Sequence, residues 1–346
     1  MLFDFAEYKK TTDQFLESYF NKQIEEANKI DPNYKRLWDN IKNVTMAGGK
    51  RLRPYLVFTG YGKIDDNVLP VAAAQELLHA ALLMHDDIID KDNIRHGTNN
   101  LNGLYDNIYS SVENTDQRMH FAYSAAILAG DLLISEAHKL IAQSDFDAVK
   151  KLQASSLLST SIFEVAGGEL LDVEASFTND DNYDPLVVYR YKTAGYSFVG
   201  PLTTGGLLGG HSDQDIEKLR QYAINLGIAY QLHDDYLGVF GNEDETGKSS
   251  SCDLYEGKKT YLLGKFLETA SPEAIKLYKA VTNGSKNDST LDELKAAIIN
   301  SGAVDANTNL ERDFVKKSAE SIDDLADPTQ KQALLHLIEK LTSRKS

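Results

Sequence analysis

The stretch QELLHAALLMHDDIID, residues 75–90, decides the fold, because its apolar side chains recur at helical spacing and lead into a cluster of carboxylates. Placed on a helix at about 100° per residue, it forms an apolar stripe beside a polar face. The stripe comprises Leu78, Ala81, Leu82, His85 and Ile89. The polar face comprises Gln75, His79, Asp86 and Asp90.

The same spacing recurs through much of the chain, whereas alternating runs of β-branched residues are scarce. Helical segments are predicted at 71–91, 120–140, 148–175, 185–209, 213–240 and 329–342. Polar or glycine-rich loops are predicted at 61–67, 97–117, 177–184, 241–257 and 282–289. For 97–117, which is rich in asparagine, a solvent loop is the first interpretation and a partly ordered flap the second. We therefore predict an all-α protein with one domain over residues 1–346.

The first acid motif places Asp86 and Asp90 four positions apart, so that their side chains are neighbours on a helix. Like charges at this spacing destabilise a helix by roughly 0.2–0.5 kcal/mol, and near its C-terminus they also oppose the helix dipole. The pattern is unfavourable for folding but suits a hard cation such as Mg²⁺. For this cluster alone, a solvated acidic helix end is an equally good interpretation.

A second acid motif follows another apolar helix in the stretch LGIAYQLHDDYLG, residues 226–238. One face of this helix carries Gly227, Gln231, Asp234, Asp235 and Gly238. We expect the glycines to leave room beside the carboxylates. Because two Asp-Asp pairs end two apolar helices, the sequence predicts a divalent metal cluster between them.

Basic residues are concentrated in GGKRLRP, residues 48–54, where three cations lie within four positions of an acidic protein. Adjacent glycines allow close backbone approach, and arginine suits bidentate phosphate recognition. Alone, such a cluster would be surface charge. Further cationic groups follow at Arg95, His96, Lys192, Lys248 and Lys258. Together they predict two anionic groups in the ligands, one bound through metal and one bound directly.

Composition excludes several classes of protein. The formal net charge of −16 argues against nucleic acid and against an anionic membrane surface as partners. The single cysteine, Cys252, favours a reducing, cytoplasmic setting. The N-terminus lacks the pattern of a secretory signal, and no apolar run approaches the roughly 20 residues of a membrane span.

Taken together, these motifs resemble the trans-isoprenyl diphosphate synthase family, the polyprenyl synthetases. The resemblance runs from about Gly48 to Thr260 and depends on the order and spacing of the motifs. They are GGKRLRP at 48–54, DDIID at 86–90 followed by Arg95, GELLD at 168–172, Lys192-Thr193, YQLHDD at 230–235, GK at 247–248 and EGKKT at 256–260. It implies an isoprenoid-synthase-type helical bundle around a deep central cavity, a homodimer, and three Mg²⁺ ions per site.

The resemblance also assigns a role to each matched residue. The metal ligands would be Asp86, Asp90 and Asp234, supported by Asp87 and Asp235. The allylic diphosphate would contact Arg95, Lys192 and Lys258, and Lys248 when the site closes. Isopentenyl diphosphate would bind to Lys50, Arg53 and His79. Thr193 and Gln231 would lie near the allylic diphosphate and the developing cation, completing a catalytic set with Asp86, Asp90, Asp234 and Lys192.

Three positions depart from the family pattern. His96 stands where a second arginine is common, which makes that contact to isopentenyl diphosphate weaker or pH-dependent. Gly238 replaces the last aspartate of the second motif, and Glu169 replaces a common glutamine. In the family, bulky residues at the positions of Ala81 and Leu82 close the product cavity. Small Ala81 leaves the nearest level open, while Leu82 and the deeper Leu78 limit depth, so we expect a linear all-E product of C15–C20.

Other functions remain open. One is a longer-chain polyprenyl diphosphate synthase. A terpene cyclase would share the fold and the metal but would not need GGKRLRP, since it binds no isopentenyl diphosphate. A non-catalytic partner subunit would typically lack the Asp motifs that this chain keeps. A metal-binding structural protein is the remaining alternative.

Overall fold

The computed structural model describes residues 5–95, 97–178, 183–241, 251–284 and 288–342. Within these ranges the secondary structure is helical apart from one short antiparallel hairpin. The strands of this hairpin are β1 (Ile94–Arg95) and β2 (Thr98–Asn99). The α-helices are α1 (Phe5–Ile30), α2 (Pro32–Met46), α3 (Leu52–Tyr61), α4 (Leu69–Ile89), α5 (Leu101–Ile108), α6 (Thr115–Gln143), α7 (Ala148–Phe177), α8 (Pro185–Val188), α9 (Gly200–Gly209), α10 (Asp213–Phe240), α11 (Cys252–Glu256), α12 (Tyr261–Thr269), α13 (Pro272–Thr282), α14 (Asp288–Asn300), α15 (Ala303–Ser321) and α16 (Pro328–Thr342).

Local sequence explains where several helices begin. Asp31 accepts a hydrogen bond from the Asn33 amide at the start of α2, and Pro32 occupies the first helical position. Asn114 caps α6 in the same way through the Gln117 amide. The long apolar segments predicted from spacing correspond to α4, α6, α7, α10 and α16. The predicted all-α fold is therefore confirmed.

The chain divides into two compact units, and it passes from one to the other three times. Unit 1 comprises residues 1–159 and 201–212, and unit 2 comprises residues 160–200 and 213–346. Each unit is described below by itself. The single domain predicted over residues 1–346 stays a prediction.

In unit 1, helix α4 is the central element and packs against α1, α3 and α6. Its first half is buried and rich in alanine, at positions 72–74. Small side chains let neighbouring helices approach closely, so that α4 is held on several sides. Exposure to solvent increases towards its C-terminal end, where Ile89 is exposed within the first acid motif.

In unit 2, helix α10 packs against α15 and against an 11-residue π-helix, Tyr189–Val199. An apolar cluster in the same unit includes Val239 at the end of α10 and Phe266 of α12. π-Helices are rare and often occur at functional sites. The apolar spacing over 185–209 predicts one regular helix, but the structure has α8, the π-helix and α9 in succession.

The loop predicted at 97–117 is also partly wrong. This segment contains β2, the eight-residue helix α5 and the start of α6. Leu101 and Tyr105 of α5 are buried, and Asn100 caps the helix through the Gly103 amide. A helix this short carries too few apolar residues to show a period, and its asparagines resemble loop composition. The loop predicted at 241–257 likewise contains the short helix α11.

Candidate active site

The first acid motif lies at the C-terminal end of α4 in unit 1. Asp87 is buried, with 1% of its surface exposed, whereas Asp86 is half-buried and Asp90 is exposed. The helix geometry thus sends the second aspartate of the Asp-Asp pair inward and leaves the other two carboxylates of the motif accessible to solvent.

The positive group that compensates the buried Asp87 is Arg95, the second residue of β1. Its Nε donates to Asp87 Oδ1 at 2.8 Å, and its Nη2 donates to Asp86 Oδ2 at 3.0 Å. Burial raises the pKa of Asp87, and the Arg95 guanidinium opposes that rise. The hairpin after α4 therefore brings a charge partner back to the motif that precedes it.

The residues predicted to bind isopentenyl diphosphate or to limit product length also lie in unit 1. His79 and Leu82 of α4 are half-buried, and Leu78 and Ala81 are fully buried. His79 lies two helical turns before Asp86 and shares its face of the helix. The predicted role of Ala81, Leu82 and Leu78 in limiting product length stays a prediction.

The basic loop before α3 separates into residues with different surroundings. Lys50 is exposed and Arg53 is half-buried. Arg51 is buried, and its Nη1 donates to Glu76 at 2.8 Å while its Nε donates to Asp13 at 2.7 Å. Its backbone is left-handed, with φ 52°. Arg51 thus belongs to an internal ion-pair network, whereas Lys50 and Arg53 stay the predicted phosphate-binding residues of this loop.

The second acid motif lies on α10 in unit 2. Asp235 is 3% exposed, and Asp234 is half-buried. The Tyr189 hydroxyl donates to Asp235 Oδ2, and Gln231 Nε2 donates to Oδ1 at 3.0 Å. Burial raises the pKa of Asp235 to about 8; Tyr189 and Gln231 oppose the rise, and the Asp253 and Asp234 charges add to it. As in unit 1, the second carboxylate of the pair is held inside the protein.

The π-helix brings Lys192 and Thr193 together with the second motif and with α7. Thr193 Oγ1 donates to Gln231 Oε1 at 2.9 Å. Lys192 Nζ lies 3.0 Å from Glu169 and 2.6 Å from Asp172, both on α7. Glu169, which replaces a glutamine common in the family, therefore forms an ion pair with the lysine predicted to bind diphosphate.

The room expected beside the glycines of α10 is filled by protein. A Cβ at Gly227 would lie 2.5 Å from the Ala194 Cβ and 3.1 Å from Phe198 of the π-helix. A Cβ at Gly238 would overlap the carboxylate of Asp253, whose Cγ is 2.5 Å from that position. The expectation of open space beside the carboxylates is thus wrong. At 238 the reason is that a carboxylate from α11 occupies the volume a side chain would need.

We expect Gly238→Ala to lower the free energy of unfolding by about 1–3 kcal/mol, because Asp253 must move to admit the new methyl group. Gly264 of α12 is the matched control, since a Cβ there meets nothing within 4 Å. Gly264→Ala should be neutral or stabilising by up to about 1 kcal/mol. Thermal midpoints measure both, and a midpoint for Gly238→Ala as high as that of Gly264→Ala would contradict the close contact. Adding Asp253→Gly should recover part of the loss.

Of the remaining predicted lysines, Lys258 is exposed and its Nζ lies 3.0 Å from Glu256 and 3.4 Å from Asp253. Asp253 is buried and was not among the predicted site residues. Lys248 and His96 lie outside the residues that the structure describes. Their predicted contacts to substrate stay predictions.

The carboxylates fit Mg²⁺ better than a metal that needs a complete protein cage. In the described ranges, no three His, Cys, Asp or Glu side chains come together as a ready-made metal site. Mg²⁺ commonly takes one or two carboxylates and completes its shell with water and substrate phosphates. Asp86, Asp90 and Asp234 are partly or fully exposed and offer hard oxygen ligands of this kind, whereas Asp87 and Asp235 are buried.

The comparison with known proteins decides the family. The polyprenyl synthetase family model matches residues 34–298. The chain belongs to the polyprenyl synthetase family. It is 30% identical to a geranylgeranyl diphosphate synthase of Methanosarcina mazei over 90% of each chain. It is 33% identical to a short chain isoprenyl diphosphate synthase of Methanocaldococcus jannaschii, covering 81% of this chain and 82% of that protein.

A solved structure gives the same result at the level of the fold. Geranylgeranyl pyrophosphate synthase from Corynebacterium glutamicum, complexed with isoprenyl diphosphate and magnesium, superposes with a TM-score of 0.91 at 28% identity over 99% of each chain. The predicted family and the isoprenoid-synthase-type helical bundle are thereby confirmed. As a polyprenyl synthetase, the chain is a prenyltransferase of the geranylgeranyl diphosphate synthase type, and Mg²⁺ is the metal that fits it. No helix among the described residues is both long enough and apolar enough to cross a membrane.

Proposed function

We propose that this polyprenyl synthetase condenses isopentenyl diphosphate with an allylic prenyl diphosphate and releases a linear all-E diphosphate of C15–C20. The observation that carries the proposal is the division within each Asp-Asp pair. Asp87 and Asp235 are buried against protein partners, while Asp86 and Asp234 are only half-buried. One carboxylate of each pair is thus buried within the fold, and the other is partly exposed to solvent, as a group that binds a ligand must be.

The metal ligands in this proposal are Asp86 and Asp90 of unit 1 and Asp234 of unit 2, with three Mg²⁺ ions per site. Asp87 and Asp235 act in support, since Arg95 and Tyr189 respectively already hydrogen-bond to them. When bound, Mg²⁺ neutralises charge on the leaving diphosphate and so favours cleavage of the allylic C–O bond.

The cationic side chains bind the two diphosphates. For the allylic substrate we propose Arg95, Lys192, Lys258 and, on closure, Lys248. For isopentenyl diphosphate we propose Lys50, Arg53, His79 and His96. Lys192 is paired with Glu169 and Asp172, so substrate oxygens must compete with these carboxylates for its ammonium group. Charge-assisted bonds to phosphate are strong enough for that exchange.

The reaction needs no side-chain nucleophile. The allylic C–O bond breaks and its electron pair leaves with diphosphate, giving an allylic carbocation. The isopentenyl double bond attacks this cation to form the new C–C bond, and a proton then leaves to the departing diphosphate. The Gln231 carbonyl, fixed by the Thr193 hydroxyl at 2.9 Å, would present its negative dipole to the cation. Apolar surroundings would keep water from capturing it.

The length of the product tests the proposed role of the α4 side chains that precede the first acid motif. We expect Ala81→Phe to shorten the principal product by one or two isoprene units, because the larger ring closes the level nearest to the acid motif. Leu82→Ala should shift products in the opposite direction. Each protein is incubated with Mg²⁺, labelled isopentenyl diphosphate and an allylic starter, and the products are identified by mass.

Ala80→Phe is the matched control, since Ala80 is a buried neighbour on the same helix but points about 100° away from Ala81. Both phenylalanines add the same bulk to the core, so circular dichroism and thermal midpoints separate misfolding from a cavity effect. An unchanged product length in both Ala81→Phe and Leu82→Ala would contradict the role of this wall.

The same assay separates the alternatives. Hydrocarbon products would indicate a terpene cyclase, and products beyond C20 a longer-chain synthase. No turnover by the pure protein would favour a non-catalytic partner subunit. The presence of Lys50 and Arg53 favours the elongating enzyme over a terpene cyclase, and the presence of both Asp motifs favours it over a non-catalytic partner subunit.

We also propose that the protein is a homodimer. Helix α7 carries exposed apolar side chains at seven-residue spacing, at Phe163, Leu170 and Phe177, and Phe163 is 82% exposed. A row of exposed apolar side chains at this spacing is typical of a helix-packing surface, and contiguous exposed apolar patches mark interaction sites. A cytoplasmic location remains part of the proposal because of the single cysteine.

A further inference from the structure

Tyr189 is a buried tyrosine whose hydroxyl joins three separate segments of unit 2. It is the first residue of the π-helix and only 5% exposed. Its hydroxyl donates to Asp235 Oδ2 on α10 and accepts from the Tyr261 backbone N–H at 2.7 Å. Tyr261 begins α12, so this N–H is one of the first-turn donors that a helix leaves without an internal partner.

Each of the three segments carries residues of the proposed allylic diphosphate site. The π-helix carries Lys192 and Thr193 within one turn of Tyr189. On α10, Asp234 directly precedes Asp235. The chain before Tyr261 is the lysine loop, defined here as residues 257–260, which contains Lys258. A single hydroxyl thus lies where the three segments meet.

The hydrogen bonds form one continuous chain. Tyr261 donates to Tyr189, Tyr189 donates to Asp235, Gln231 donates to the other oxygen of Asp235, and Thr193 donates to Gln231. Both ends of the chain return to segments that carry proposed ligand contacts. Buried networks whose members are all hydrogen-bonded rigidify their surroundings.

The packing of the Tyr189 ring does not account for the hydroxyl. The ring belongs to an apolar cluster with Ile228 and Leu232 of α10, and a phenylalanine ring would fill this space equally well. The oxygen serves the polar contacts alone. Removing it would leave Tyr261 N–H without this acceptor and Asp235 without one of its donors.

We propose that Tyr189 is a positioning residue for the allylic diphosphate. It aligns the lysine loop and the π-helix with the second acid motif, acting through Asp235 and Tyr261 without touching substrate. The inference rests on the proposed function, since it names a further residue of that same site.

The test compares Tyr189→Phe with Tyr222→Phe in the full-length protein. Tyr222 is equally buried in unit 2, and its hydroxyl donates to the Leu334 carbonyl at 2.7 Å on α16. For Tyr189→Phe we expect kcat/KM for the allylic substrate to fall about tenfold and the Mg²⁺ concentration for half-maximal rate to rise several-fold. KM for isopentenyl diphosphate should change little. Tyr222→Phe should lower the thermal midpoint to a similar extent and leave these constants within about twofold.

A binding measurement tests the inference independently of turnover. The rise in thermal midpoint on adding Mg²⁺ with inorganic diphosphate should be smaller for Tyr189→Phe than for the wild type and for Tyr222→Phe. Equal rises together with equal kinetics would overturn the positioning role. If the wild type shows the rise but makes no elongated product, the proposed function fails, whereas a smaller rise for Tyr189→Phe would still support a role of Tyr189 in positioning the groups that bind diphosphate. The double variant with Tyr189→Phe and Asp235→Asn should lower kcat/KM for the allylic substrate by less than the product of the two single fold-changes. A decrease equal to that product would mean that the two residues act independently, which would overturn the route through Asp235.

Discussion

Replacement of Asp86 by alanine is expected to lower kcat/KM for the allylic substrate on the order of 1,000-fold or more, about 4 kcal/mol of transition-state stabilisation. Asp86 is half-buried at the end of α4 and is a proposed Mg²⁺ ligand. Without its oxygens, charge on the leaving diphosphate is poorly neutralised. The free energy of unfolding should change little, because the substitution removes the repulsion from Asp90 four positions away as well as the ion pair with Arg95. Steady-state kinetics and thermal midpoints measure the two effects.

The matched control is Asp106→Ala on α5 in the same unit. The Asp106 and Asp86 side chains are 25% and 23% exposed, and each pairs with an arginine, Arg118 and Arg95 respectively. Both substitutions therefore remove a half-buried ion pair, but only one removes a proposed metal ligand. Asp106→Ala should keep kcat/KM within about twofold of the wild type. Activity retained by Asp86→Ala would refute the metal assignment.

Replacement of Arg51 by methionine should produce the largest loss of stability, about 3–5 kcal/mol in the free energy of unfolding. Arg51 is buried, with its Nη1 2.8 Å from Glu76 and its Nε 2.7 Å from Asp13. Glu76 is itself 3% exposed, so that removal of the guanidinium leaves its carboxylate in the interior without this cation. Urea denaturation followed by circular dichroism measures the change.

Two further variants show whether the unpaired charge causes the loss. Arg220→Met removes a surface ion pair with Glu217 at 3.4 Å in unit 2 and should cost at most about 1 kcal/mol. Adding Glu76→Gln to Arg51→Met removes the stranded charge and should restore part of the stability. A double variant no more stable than Arg51→Met alone would show that the charge of Glu76 is not the cause.

The part of the fold that follows from periodicity was predictable from the sequence. The α4 helix, with its apolar stripe and terminal carboxylates, emerges from the spacing over 75–90, and α7 and α10 emerge in the same way. The π-helix did not, because its wider turn still places apolar residues on one side over the short run 189–199. Helix α5 was missed because eight residues carry too little pattern to outweigh their asparagines.

The candidate site was predictable where the type of residue itself indicates what it binds. Paired aspartates and clustered lysines pointed to metal and phosphate, and the family match supports that interpretation at the level of activity. What the sequence could not provide were partners distant in the chain. Arg51 resembled the other cations of its loop until its contacts with Glu76 and Asp13 were known. Tyr189 resembled one more apolar position, because a hydroxyl is informative only when its acceptor is known.

Asp253 is a further residue whose contact, here with Gly238, could not be predicted from the sequence. Gly238 was noted as a departure from the family pattern, but the sequence gives no reason for it. The reason is steric: the Asp253 carboxylate lies where a side chain at 238 would be. A glycine in one helix and an aspartate in another therefore form one feature that no local pattern connects.

The central claim is most directly tested by titrating Mg²⁺ into the purified full-length protein with labelled isopentenyl diphosphate and an allylic starter, and identifying the labelled product by mass. The account predicts no incorporation in the presence of chelator, incorporation that rises and saturates with Mg²⁺, and a linear diphosphate of C15–C20. Incorporation that is independent of Mg²⁺, or the absence of any elongated diphosphate at saturating Mg²⁺, would contradict it.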